Sequence, residues 1–228
     1  MYLWKCWRDT RFFFLVFLII ASAVMPIAAV VCVGTGLIEE FGASAFQSTL
    51  GLILIAVALG LGAIGAIHEF GDKTAQFLFT KPRSRAYFVW ASWAVGAIEL
   101  LAVALVNLLA GWLALSRYSR NPFHSTLLGS VMPDQFAGTV ILSLYVYSLT
   151  YSLTAVLRNG LKGLGASMGI VFGLPFLAIA VRWRWHINLP IPTSPIGNLS
   201  LLVSNMIWIF ITLLFVFASQ MVIERAEM

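Results

Sequence analysis

Charge is scarce in this chain. Only 10% of its 228 residues are Asp, Glu, Lys or Arg, while 61% are hydrophobic. A soluble domain carries about a quarter charged residues, so this chain cannot clothe a surface that faces water. Cysteine is nearly absent too. Cys6 and Cys32 lie at opposite ends of one apolar run, which excludes a disulfide framework and any cysteine metal site. The three histidines, His68, His124 and His186, fall in separate loops and cannot share one metal, so no metal site is expected. No G-x4-G-K-[ST] phosphate loop occurs, and no nucleophile–base pair is arranged for hydrolysis. No catalytic residue is assigned, and the chain is not expected to be an enzyme or to hold a cofactor.

What the sequence does have is a recurrence of apolar runs near 20 residues, the length that crosses about 30 Å of hydrocarbon. Backbone groups in lipid must pair within their own segment or around a closed barrel. Continuous rather than alternating apolar runs select helices. The expected fold is therefore an all-α integral membrane protein, a single domain over residues 1–228. Six spans are expected, at about 12–33, 50–67, 87–115, 136–157, 161–181 and 199–223. The first resembles a signal peptide at Ala21-Ser22-Ala23, but its apolar run continues through Pro26 to Val33, which favours a retained helix.

Positive charge orders the loops. Lys5, Arg8, Arg11, Lys73, Lys81, Arg83, Arg85, Arg158, Lys162 and Arg225 collect on one side of this arrangement. The other side has Arg117, Arg120, Arg182 and Arg184, with Glu39 and Glu40. The positive-inside rule then puts both termini in the cytoplasm. The net charge of +5 is explained by topology and gives no reason to expect nucleic acid. The segment MYLWKCWRDTR reads either as an interfacial helix, with Leu3, Trp4 and Trp7 on one face, or as simple anchoring by Trp and basic residues.

The stretch HEFGDKTAQFLFTKPRSR, His68 to Arg85, links spans two and three. Phe70, Thr74, Phe77 and Leu78 recur on one helical face, and Asp72, Lys73 and Gln76 occupy the other. Glu69 and Lys73 form an i,i+4 pair, and Pro82 stops the helix before Arg83 and Arg85. Such a helix is either a lever beneath the membrane or a surface turn that satisfies the charge rule.

Glu69, Thr74, Leu78, Pro82, Ser84 and Arg85 stand in the pattern E-x4-T-x3-L-x3-P-x-S-R. It resembles the segment after span two in permease subunits of ABC-2-type ABC transporters. The N-terminal segment, the six spans and the Pro-rich stretch before span six extend the likeness, which is of the type V exporter kind. Lys73 stands where that family often has Gly, and aromatic residues such as Trp90 and Trp93 stand where it often has Lys. The resemblance implies a coupling helix between spans two and three. In it Glu69, Asp72, Lys73, Thr74, Phe77, Leu78 and Pro82 meet a separate ATPase, while Arg83 and Arg85 anchor the return into span three. It also implies two ATPase copies that carry ATP and Mg, and a second permease subunit, identical or related. It places the chain in the cytoplasmic (inner) membrane of a prokaryote, with a partly re-entrant segment in Arg182 to Asn198.

Inside the spans, Glu99 and Asn107 share a face of span three. Glu99 reads either as a pathway contact or proton-linked group, or as a protonated carboxyl bonded to a neighbouring helix, with Tyr or Ser of span four as candidate partners. Tyr147 and Tyr151 head a hydroxyl-rich span four, which could line a path or join helices. Gly165, Gly169 and Gly173 form a close-packing stripe on span five. The expected function is export by a dimeric permease coupled through residues 68–85. A membrane scaffold or assembly protein without transport is the alternative, and an intramembrane enzyme built on Glu99 lacks a second catalytic group.

Overall fold

A computed structural model describes residues 2–34, 42–70, 85–118, 132–185 and 201–225. These form six helices: α1 (Tyr2–Gly34), α2 (Gly42–Phe70), α3 (Arg85–Tyr118), α4 (Met132–Leu157), α5 (Gly160–Trp185) and α6 (Leu201–Arg225). The first five expected spans each fall within one helix, and the sixth, 199–223, corresponds to α6 from residue 201 onward. Among the described residues, four stretches are long and apolar enough to cross a membrane: Thr49–Ile67, Ala86–Ala110, Phe136–Leu157 and Asn205–Arg225. Helices α1 and α5 cover the expected first and fifth spans, although the apolar stretch found in α1 is the shorter Thr10–Val24. The continuous apolar runs explain why helices form throughout, and each helix satisfies its own backbone where lipid offers no partner.

One expectation changes at the N-terminus. Helix α1 continues without a break from Tyr2 into the first span, so no separate interfacial helix is present. The cause is a buried face: Cys6 and Thr10, one turn apart, are 3% and 6% exposed and turn toward the bundle. The helical backbone also runs through Pro26 in α1 and Pro175 in α5. Helix α5 extends to Trp185, so the first part of the expected re-entrant segment is helical, and residues 186–200 lie outside the described residues.

Helices α2 and α4 make the most extensive pairing, with α1 against α3 and α6 against α4 next. The core sits where α2, α3 and α4 meet, around Leu54, Leu61, Val89, Leu100, Val103 and Val146. Glycine sets the closest approach. A Cβ at Gly62 would lie 2.9 Å from both Thr150 Cβ and the Tyr147 carbonyl. Helix α3 is hydrogen-bonded to α4 and α6 near its first turns. Tyr151 donates its hydroxyl to the Val89 carbonyl (3.0 Å), and Tyr147 donates to the Trp93 carbonyl (2.9 Å). Trp93 Nε1 donates to Ser148 Oγ (2.8 Å), and Trp90 Nε1 donates to Gln220 Oε1 of α6 (2.8 Å).

The α4–α5 connection is a tight corner. Arg158 takes a left-handed conformation (φ 51°) that ends α4. Asn159 then caps α5, its Oδ1 accepting from Lys162 N (3.1 Å) and its carbonyl from Gly163 N (2.9 Å). Asn159→Ala is expected to lower stability by about 1 kcal/mol through the lost cap. Thermal unfolding in detergent reads this, and an unchanged midpoint would show that the corner is held by packing alone.

Candidate functional site

The loop that carries the coupling motif falls mostly outside the described residues: Asp72, Lys73, Thr74, Phe77, Leu78, Pro82 and Arg83 are all there. Its flanks are described. Glu69 is in the last turn of α2, and Arg85 is the first residue of α3. These two helices are joined just inside the loop, where Ser92 Oγ donates to the Gly65 carbonyl at 3.5 Å. The same end of α3 is bonded on to α4 and α6 through Trp90, Trp93, Tyr147 and Tyr151.

The buried polar centre is at Glu99. It is 3% exposed, and its Oε1 accepts a hydrogen bond of 2.7 Å from Thr10 Oγ of α1. The carboxyl is thus bonded to a neighbouring helix, but that helix is the first and not the fourth. The reason is packing, since α1 lies along α3 and presents Thr10 at that level, while the α4 hydroxyls turn elsewhere. Glu99 Oε2 is buried without a hydrogen-bond partner among the described residues. Asn107, two turns on, is fully buried. Its Nδ2 donates to the Val103 carbonyl at 2.7 Å, and its Oδ1 lacks a partner among the described residues.

Glu99→Gln keeps an acceptor for Thr10 and removes the ionisable group. Its stability should match wild type within about 0.6 kcal/mol, the size of one interhelical hydrogen bond in a membrane. Glu99→Ala loses both the acceptor and the packing, and should cost about 2 kcal/mol. Unfolding midpoints of the two variants side by side check this; a Gln variant as unstable as the Ala variant would show that the carboxylate charge itself is required.

Tyr147 and Tyr151, expected as pathway candidates, are fully buried between α3 and α4 and spend their hydroxyls on α3 carbonyls. The two tyrosines thus join α4 to α3 through their hydroxyls. Their rings continue an aromatic row, with Trp90–Trp93, Trp93–Tyr147 and Tyr147–Tyr151 centroids 5.7, 6.5 and 6.1 Å apart. The glycine stripe on α5 meets no other described helix of this chain. Gly165, Gly169 and Gly173 are exposed, and a Cβ on any of them would meet nothing within 4 Å. Helix α5 turns a different face to α4, with Gly163 against Thr154 and Leu164 against the core, so the stripe packs on nothing in the described chain.

Sequence reasoning missed Thr10, Trp90 and Gln220 as helix-joining residues. The available signal for Gln220 was a lone amide in an otherwise apolar span. For Trp90, it was an indole N–H that must find a partner when buried. Among the described residues, no group of three His, Cys, Asp or Glu could hold a metal ion. Comparison with protein-family models, curated proteins and solved structures finds no match to this chain. The class rests on the fold itself: an all-helical, multi-pass membrane protein with buried polar junctions between its helices.

Proposed function

We propose that the chain is the permease subunit of an ATP-driven exporter of the ABC-2 type. The observation that carries this reading is the spacing E-x4-T-x3-L-x3-P-x-S-R from Glu69 to Arg85, placed between the second and third helices. The flanking helices support it, because α2 and α3 meet beside the loop and α3 is bonded onward to α4 and α6. A push on the loop would then move a connected block rather than a single helix.

On this reading six helices cross the cytoplasmic membrane of a prokaryote, with both termini in the cytoplasm. Two permease subunits, identical or related, enclose the path. Two ATPase subunits dock on the loops, and ATP with Mg is bound and hydrolysed there. The permease contributes mechanical transmission and the wall of the path. On the same reading residues 72–80 would supply the ATPase contact, and Arg83 and Arg85 would anchor the return into the third span at the headgroups.

The test is co-purification. The tagged chain, expressed with the P-loop ATPase encoded beside its gene, is expected to retain that ATPase and to stimulate its hydrolysis. Glu69→Ala should abolish the stimulation while leaving the permease folded. Stable isolation without any ATPase would overturn the reading and favour a scaffold protein.

A further inference from the structure

Arg85, Arg158, Lys162 and Arg225 mark one end of the bundle. The Trp90–Gln220 bond sets the register of α3 against α6 five residues from Arg85 and Arg225 respectively. Ile67 against Gly160 brings the α4–α5 corner to the same end as the close of α2. From this basic plane Glu99 stands about 21 Å along α3 at 1.5 Å per residue. Its side chain leans back toward the start of its helix. The carboxyl therefore lies near the middle of a hydrocarbon layer about 30 Å thick.

Thr10 Oγ is 2.7 Å from that carboxyl and shares its depth. Arg11 follows Thr10 and is exposed on the surface of the chain. The basic plane is about three helical turns away, beyond the reach of a snorkelling side chain. Facing lipid tails there, a guanidinium would be costly. Around it are apolar side chains that are also exposed: Trp7 (36%), Phe12 (68%) and Leu15 (49%).

We propose that the exposed side of α1 around Arg11 lines a water-filled vestibule entering the membrane from the basic end to half its depth. Arg11 binds there the anionic head of an amphiphile. The guanidinium fork suits a phosphate or carboxylate group, and Trp7 and Leu15, four residues to either side of Arg11, suit the apolar portion. That this amphiphile is the cargo rests on the exporter reading; the vestibule and the anion site do not.

The test uses the full chain in proteoliposomes, with Cys6 and Cys32 replaced by Ala and one new cysteine at a time. Phe12→Cys, 68% exposed beside Arg11, leaves Arg11 in place. Phe210→Cys, 62% exposed on α6, is the control at matched depth, ten residues from Gln220 as Glu99 is nine from Trp90. A charged, water-soluble maleimide is expected to label Phe12→Cys about a hundredfold faster than Phe210→Cys, reflecting the cost of carrying charge into hydrocarbon. Dodecyl phosphate should slow labelling of Phe12→Cys in phosphatidylcholine vesicles, and Arg11→Gln should remove that protection. If phosphatidylglycerol vesicles protect without added probe, the anion is a lipid headgroup; protection by dodecyl phosphate alone makes it a mobile amphiphile. Equal labelling of the two cysteines overturns the vestibule, and protection that survives Arg11→Gln overturns the anion site. The ATPase plays no part in these measurements, so they fail or succeed separately from the co-purification.

Discussion

Gly62→Val is expected to insert into the membrane and fail to assemble the bundle. The position is buried in α2, and a Cβ there would meet Thr150 Cβ and the Tyr147 carbonyl at 2.9 Å and Tyr151 N at 3.1 Å. Two of those three atoms are backbone, so no rotamer change in α4 makes room. The helices must separate, and α2 against α4 is the most extensive pairing among the described residues. Overpacking a core typically costs 1–3 kcal/mol, and with backbone opposing it the loss here should be about 3 kcal/mol or more. Gly169→Ala provides the contrast. Its Cβ would meet nothing within 4 Å, and alanine favours a helix over glycine by about 0.8–1.0 kcal/mol in water, so this change should be neutral or slightly stabilising. Thermal unfolding in detergent, with size-exclusion profiles before heating, separates the two. A Gly62→Val protein with a wild-type midpoint would mean that α2 and α4 do not approach as described.

The same two glycines show where the sequence was legible. Hydropathy located each of the six described helices, because the cost of unpaired backbone in lipid leaves little choice of secondary structure. Expected limits such as 136–157 and 87–115 fall inside α4 and α3, whose ends run on for a few residues. The face a helix presents to its neighbours was much less legible. The four-residue spacing of Gly165, Gly169 and Gly173 suggested a packing stripe, but that face is exposed. The close approaches are made by single glycines, Gly62, Gly96 and Gly163, without a repeating pattern. In a soluble helix the polar face marks the outside, whereas in an all-apolar span no such contrast exists. Glu99 was legible as a buried polar group because a carboxyl in hydrocarbon is rare and costly. Its partner was not, since hydroxyls were plentiful on α4 and the contact with Thr10 depends on how α1 lies along α3. For the loop the situation is reversed: the motif is explicit in the sequence, and the residues between Glu69 and Arg85 are the ones the fold says least about.

Tyr147→Ala is the second change expected to have a large effect. The side chain is fully buried at the junction of α3 and α4, where it does three things at once. Its hydroxyl donates to the Trp93 carbonyl, its ring continues the aromatic row between Trp93 and Tyr151, and its hydroxyl end occupies the space left open by Gly96. Truncating a large buried aromatic costs about 3–5 kcal/mol when the surroundings cannot collapse. Collapse is restricted here, because Tyr151 one turn away is itself bonded to Val89 and Trp93 to Ser148. Tyr147→Phe separates the contributions. It keeps the ring and removes one interhelical hydrogen bond, worth about 0.6 kcal/mol on average between membrane helices. The Ala variant should therefore lose several times what the Phe variant loses. If the coupled movement of α3 and α4 also carries transmission from the loop, ATPase stimulation should follow the same order. A Phe variant that is stable yet uncoupled would assign transmission to the hydroxyl bond itself. Equal stability losses in the two variants would instead show that the bond to Trp93, and not the aromatic packing, holds α3 to α4.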